Sequence, residues 1–192
     1  MIDKNIGIAI TGSFCTFRKL LPVIKKLKEH NNLVPIFSYA VKDTDTRFYK
    51  AQQFYDDIKE LTGNIPITTI VGAEPIGPQG LLDLLIIAPC TGNTLAKLNN
   101  AITDTPVLMA AKAHLRNDRP VLIAVSTNDG LSNNARNIGD LLNKKNIYLV
   151  PFEQDNYKDK KFSLVADFDL IYHAADAALA GIQLQPVIKE YK

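Results

Sequence analysis

The sequence has no tryptophan, only two cysteines and two methionines, and no long apolar run. So little cysteine excludes a disulfide scaffold. Neither Cys15 nor Cys90 has partners at metal-ligand spacing, so no metal centre is expected and a reducing cytoplasm is the expected setting. Apolar runs such as Leu84–Ala88 fall far short of the roughly 18 residues a membrane-spanning helix needs. The opening MIDKNIGIAITGS puts an acid before a short apolar run and has no small-residue cleavage site, so it does not read as a secretory signal. Charge of one sign is missing too: 22 Lys+Arg against 20 Asp+Glu leave a net +2, with no electrostatic reason to expect nucleic acid or a membrane surface as partner.

What remains is an ordinary globular composition, 46% hydrophobic over 192 residues, which predicts one domain spanning 1–192. Short β-branched runs alternate with amphipathic stretches. The candidate strands are Ile6–Ile10, Leu33–Phe37, Ile67–Val71, Leu84–Ala88, Val121–Val125 and Ile147–Val150. Several are continuously apolar, the pattern of strands buried on both faces in a parallel sheet. The candidate helices are Phe17–His30, Thr46–Leu61, Thr94–Ile102, Pro106–Asn117, Asn134–Lys144 and Asp169–Ala180. Thr105-Pro106 is a capping hydroxyl followed by proline at the first helical position. Pro22 conflicts with an unbroken first helix. The order predicts a doubly wound α/β domain with a mostly parallel six-stranded sheet.

In such a sheet ligands bind beyond the carboxyl ends of the strands, where the strand order reverses, here between the first and fourth candidate strands. The loops there read Thr11-Gly12-Ser13-Phe14-Cys15-Thr16 and Pro89-Cys90-Thr91-Gly92-Asn93-Thr94. Glycine admits close backbone approach, hydroxyls donate hydrogen bonds, and a helix N-terminus offers free N–H groups to an anion. Ser38 adds a hydroxyl after the second strand. Turns and caps use the same residue types, so either loop alone also reads as plain structure. Neither the dinucleotide fingerprint Gly-x-Gly-x-x-Gly nor the P-loop is present. The polar Ser126–Asn134 loop is either a surface loop or a cover for the ligand. Lys112, His114 and Arg116 sit at a helix end, where they either complement the dipole or form an anion site for a dicarboxylate or a neighbouring subunit.

The segments Thr11-Gly12-Ser13 and Ala88-Pro89-Cys90-Thr91-Gly92-Asn93-Thr94-Leu95-Ala96-Lys97 resemble the flavoprotein family that includes phosphopantothenoylcysteine decarboxylase and the lantibiotic decarboxylases, whose second motif commonly reads A-P-A-T-A-N-T-x-A-K. The resemblance implies a Rossmann-like domain that holds FMN, usually between the subunits of a trimer-based homo-oligomer. Leu108, Met109 and Leu115 are the expected apolar contact. Carried over by position, Gly12, Ser13, Phe14, Ser38, Pro89, Cys90, Thr91, Asn93 and Thr94 are the expected FMN-binding residues. The catalytic histidine of the decarboxylases has no counterpart in Ala73–Gln79. Their Pro-x-Met-Asn-type motif is replaced by Ser126-Thr127-Asn128-Asp129. Glu74 and the Ser126–Gly130 loop are therefore where a different substrate would be handled.

The resemblance is nearest to a sporulation branch of that family. It implies one component of an oxidoreductase that works with a second, different chain on a small dicarboxylate, with NAD(P) supplied through that partner. Asn93, Ser126 and Asn128 are then expected at the reacting centre, and Lys112, His114 and Arg116 at the carboxylates. The alternative is a non-catalytic flavin- or phosphate-binding component that completes its partner, with a decarboxylase as the third reading.

Overall fold

The structure is a computed structural model, and it describes residues 1–190. Five parallel strands form the centre of the sheet: β1 (Asn5–Ile10), β2 (Asn32–Phe37), β3 (Leu84–Cys90), β4 (Val121–Thr127) and β5 (Ile147–Leu149). Their order is β2-β1-β3-β4, with β5 beyond the start of β4. β1 and β3 are neighbours in register from Ile6↔Leu84 to Ala9↔Ile87, which puts the reversal of strand order where the expected ligand edge lies. The strands are buried on both faces; every residue of β3 is buried.

Helices cover both faces. They are α1 (Phe17–Lys28), α2 (Tyr39–Asp43), α3 (Ala51–Thr62), α4 (Ile70–Ala73), α5 (Gly92–Asn99), α6 (Pro106–Leu115), α7 (Ala135–Leu142) and α8 (Ile171–Leu179). α1 carries Pro22 on its exposed face and still buries Phe17, Leu20, Val23, Ile24 and Leu27 on the other. Thr105 caps α6 by accepting from the Leu108 N–H, with Pro106 in the first turn. The buried apolar side chains form one continuous cluster around the sheet.

Three sequence expectations change in the structure. Ile67–Val71 keeps only one bridge to the sheet, Ile36↔Ile67, beside β2 where a third strand would lie. Thr69 then accepts from the Gly72 N–H at 3.0 Å and turns the chain into α4. The helix expected from Thr46 starts only at Ala51, because the Thr46 hydroxyl takes the N–H groups of Phe48 and Tyr49, both at 3.2 Å, and holds them in a turn. The chain after β5 adds an antiparallel hairpin absent from the expected strands: β6 (Phe152–Asn156) and β7 (Lys160–Ala166), with β7 pairing to the last residues of β4. The upper end of β4 therefore has an antiparallel neighbour, while its lower end has β5.

Candidate functional site

The loops after β1 and β3 meet, and Thr11 joins them. Its hydroxyl donates to the Pro89 carbonyl at 2.7 Å and accepts from the Thr91 N–H at 3.0 Å. Thr11 is buried, so both bonds lie in a low-dielectric setting where an unmade bond is costly. One residue pair carries the contact on to β4: the Ser13 and Ser126 hydroxyls are 2.7 Å apart. The Ser13 carbonyl accepts from the Thr16 N–H at 3.0 Å and its hydroxyl at 2.8 Å, which closes the first loop.

These contacts form the floor of a cleft of about 490 Å³ at the carboxyl edge of the sheet. That lies in the size range of small-molecule sites, about 300–1,000 Å³. Gly12, Phe14, Cys15, Lys19 and Phe48 line one side; Thr91, Gly92, Ser126, Thr127 and Asn128 follow the strand ends. The hairpin supplies the remaining wall with Asp155, Lys160, Ser163, Leu164 and Val165. Ser163 donates to Asn128 Oδ1 at 3.3 Å, and the Leu131 N–H donates to the Phe162 carbonyl at 3.0 Å, so the hairpin is tied to the loop after β4. At the exposed end Lys160 pairs with Asp155 at 2.5 Å, and this hydrogen bond holds the lysine above its ordinary pKa.

A second depression, about 760 Å³, lies behind the cleft and shares Gly92 with it. Asn93, Asp129, Asn134 and Arg136 are among its lining. A β-carbon on Gly92 would fall 2.5 Å from Asn134 Nδ2, 2.5 Å from Thr127 Oγ1 and 2.7 Å from Asp129 Oδ1, so any larger residue would have to displace these side chains. Behind it Asn137 donates to Asn134 at 2.9 Å and Asn99 donates to Asn137 at 3.1 Å, an amide chain that fastens the loop after β4 to α5 and α7.

Of the expected site residues, Gly12, Ser13, Phe14, Thr91, Ser126 and Asn128 come together on the cleft. Ser38 is buried beside it, its hydroxyl accepting from the Val41 N–H at 3.4 Å as the cap of α2. Pro89 takes part through its carbonyl. Cys90 is buried, and burial pushes its thiol pKa up, so it packs and offers no thiolate. Thr94 is buried with its hydroxyl 3.1 Å from that of Thr91, at the start of α5. Asn93 lines the second depression and is absent from the cleft lining.

Lys112, His114 and Arg116, expected at the substrate carboxylates, are not among the residues this chain brings to the cleft. α6 runs toward the opposite edge of the sheet and ends just before β4 begins. His114 is 1% exposed; its Nε2 donates to the Pro120 carbonyl at 3.0 Å and its Nδ1 has no partner. Burial, partly offset by that hydrogen bond, lowers its pKa to about 4, so the ring is neutral near pH 7 and has no charge to offer a carboxylate. Lys112 and Arg116 are exposed at that same far edge. Glu74 is likewise absent from the cleft lining: it opens a short 3-10 turn, Glu74–Ile76, that packs on α6. Leu108 is buried in its own chain, which leaves Met109 and Leu115 as the partly exposed apolar residues of that helix.

Sequence reasoning missed Lys19, Phe48 and the entire hairpin wall. The hairpin did carry a signal: the short apolar run Leu164-Val165-Ala166 follows a turn opened by Asn156, whose side chain accepts from the Lys158 and Asp159 N–H groups, both at 3.1 Å. Phe48 fits a helix face in the sequence; the Thr46 turn instead presents it to the cleft.

The cleft offers an anion the N–H of Gly92, which has no acceptor within α5. It offers a flat apolar body Phe14, Phe48, Leu164 and Val165. Among the described residues no group of three His, Cys, Asp or Glu could hold a metal ion, and no helix is long and apolar enough to cross a membrane.

A doubly wound sheet with a glycine- and hydroxyl-lined cleft at its switch point defines a Rossmann-like binding protein. The chain belongs to the Flavoprotein family, whose profile matches residues 1–171. It is 46% identical over 188 residues to the B subunit of dipicolinate synthase from Bacillus subtilis (strain 168), covering 97% of this chain and 94% of that protein. The crystal structure of the dipicolinate synthase B subunit from Bacillus halodurans C superposes with a TM-score of 0.91 at 43% identity, covering 100% of this chain and 98% of that one. An FMN-dependent cysteine decarboxylase shares the fold alone, with a TM-score of 0.62 at 18% identity over 94% of this chain and 98% of that one.

Proposed function

We propose that this chain is the flavin-binding component of a two-component oxidoreductase of the cytoplasm. In this reading it is the B subunit of a dipicolinate synthase. With the A subunit of that enzyme it oxidises a dihydro- or hydroxytetrahydro-dipicolinate precursor to dipicolinate during sporulation. The observation that carries the reading is the 46% identity to a dipicolinate synthase B subunit over nearly the full length of both chains. The cleft fits FMN in its donor set. Gly12 and Ser13, with Ser38 nearby, would hold the FMN phosphate, and Phe14 and Thr91, with Pro89 and Cys90 of the same segment, would hold the ring. A bound flavin supplies the two-electron chemistry that side chains lack.

The chain's own residues bind and orient. Ser126 and Asn128 stand at the reacting centre, and Asn93 supports it from behind the Gly92 wall. Lys19 and Lys160 take the role of carboxylate partners, because they line the same cleft as these residues. With no dinucleotide fingerprint in the sequence, NAD(P) comes through the A subunit. The assembly is a trimer-based homo-oligomer that docks the A subunit.

The test is flavin titration together with reconstitution of dipicolinate formation from the two components. Ser13→Asp places a negative charge where the phosphate belongs, and its flavin affinity is expected to fall at least tenfold, about 1.4 kcal/mol. Unchanged affinity sends the phosphate elsewhere. The second reading, a non-catalytic component, is favoured by one observation: the Ala73–Gln79 stretch that replaces the decarboxylase histidine motif contains no histidine. Wild-type turnover by the mixed components after the cleft is blocked by the Ser13→Asp change would favour it.

A further inference from the structure

The wall between the cleft and the second depression carries a carboxylate with only neutral partners. Asp129 Oδ1 accepts from Thr127 Oγ1 at 2.5 Å, and Asn134 Nδ2 lies 2.9 Å from each Asp129 oxygen. Among the described residues no ion pair involves Asp129, whereas Asp155, the carboxylate that lines the cleft, is tied to Lys160. The first turn of α5 passes directly beneath, as the close approach of Gly92 records, and a helix N-terminus favours a negative charge there. The two sides of the wall differ in their residues: Thr127 lines the cleft, and Asp129 lines the depression behind it.

We infer that Thr127 and Asp129 are the proton-accepting pair of the cleft, with Thr127 meeting the substrate and Asp129 acting through it. This rests on the dipicolinate-forming reading. In the step, a C–H bond of the dihydropyridine dicarboxylate ring breaks as an O–H bond forms at Thr127 Oγ1. The original Thr127 proton passes to Asp129 Oδ1. The electron pair stays on the substrate, delocalised into its ring C=N and carboxylate, so the step needs no oxidant. Because Thr127 already donates to Asp129, its oxygen lone pairs are free to receive the incoming proton. Asp129 then releases its proton to the depression behind the wall.

A purely structural role for Asp129 can be separated from this one. The loop after β4 is held by the Asp129 main-chain carbonyl, which accepts from the Ser132 and Asn134 N–H groups, both at 3.1 Å. Asp129→Asn keeps those bonds, and Thr127→Val keeps the contacts between Asp129 and Asn134. The experiment uses the complex of the A and B chains with 2,3-dihydrodipicolinate in D₂O, with no nicotinamide or flavin added. Proton NMR follows ring C–H exchange, and calorimetry follows pyridine-2,6-dicarboxylate binding. Wild type is expected to accelerate exchange. Thr127→Val and Asp129→Asn should each slow it about 100-fold, the scale of general acid–base catalysis, with binding unchanged, and Asp129→Glu should recover part of the rate. Wild-type exchange rates in both variants, or loss of binding alongside loss of exchange in both, would overturn the inference. A wild-type complex that binds the dicarboxylate but does not accelerate exchange overturns it as well. A wild-type complex that does not bind the dicarboxylate overturns the functional reading beneath it.

Discussion

The loops after β1 and β3 and the basic end of α6 are both polar, both border helices, and both read in the sequence as possible anion sites. They end on opposite edges of the same sheet. At the carboxyl edge the polar groups face each other across a cleft: Thr11 joins two loops, Ser13 reaches Ser126, and α5 turns its N-terminus inward. At the other edge His114 is sunk into the core without its charge, while Lys112 and Arg116 extend into solvent. Similar residue chemistry produced a polar cleft in one place and packing or solvent exposure in the other. The difference is strand direction, because a parallel sheet collects the ends of all its strands on one side.

The largest effect expected from breaking this contrast is at Gly92. Gly92→Ala forces a methyl group against three polar atoms of the wall and should cost about 3 kcal/mol, with flavin binding lost alongside. Chemical denaturation and flavin titration check both, and a stable variant that still binds flavin would show that the wall yields and is not a fixed part of the site.

The far edge gives the next effect. The His114 pKa is about 4 in the folded chain against an ordinary 6.5, so between these values the unfolded chain binds a proton that the folded chain refuses. Stability contributed by the neutral ring is complete above pH 6.5 and is lost as the pH falls to about 4, by roughly 3 kcal/mol in total. Denaturation midpoints across that range measure it, and the slope should be much reduced in His114→Leu. An equal slope in that variant would place the acid sensitivity in other groups.

The smallest effects belong to Lys112→Ala and Arg116→Ala. Both are expected to leave stability within about 0.5 kcal/mol and ligand binding unchanged. Weaker dicarboxylate binding by either variant, measured by calorimetry, would sharpen the comparison in another direction, by bringing the far edge of one copy to the cleft of a neighbour.

Much of this was legible along the chain. The parallel strands announced themselves as continuous apolar runs, since burial on both faces removes the usual alternation. The paired loops could be placed because strand order determines which loop ends meet. The hairpin was harder to read: β6 carries the polar run Glu153-Gln154-Asp155-Asn156, held in the sheet by β7, which itself pairs with the end of β4, rather than by its own burial. Ile67–Val71 had strand propensity, but the Thr69 cap and the 76% exposure of Val71 left it one bridge. Phe48 fitted a helical stripe until the Thr46 hydroxyl took its N–H.

By itself the sequence determined the class of fold, the core, and which two loops meet at the carboxyl edge, because those follow from hydrophobic period, chain order and residue type. Only the tertiary structure decided that Thr11 would clasp the loops, that Gly92 would be pressed beneath Thr127 and Asp129, and that His114 would lose its charge. Each of these depends on atoms from distant parts of the chain arriving within hydrogen-bond distance, or on water being excluded from around a ring, and neither is written in any local run of residues.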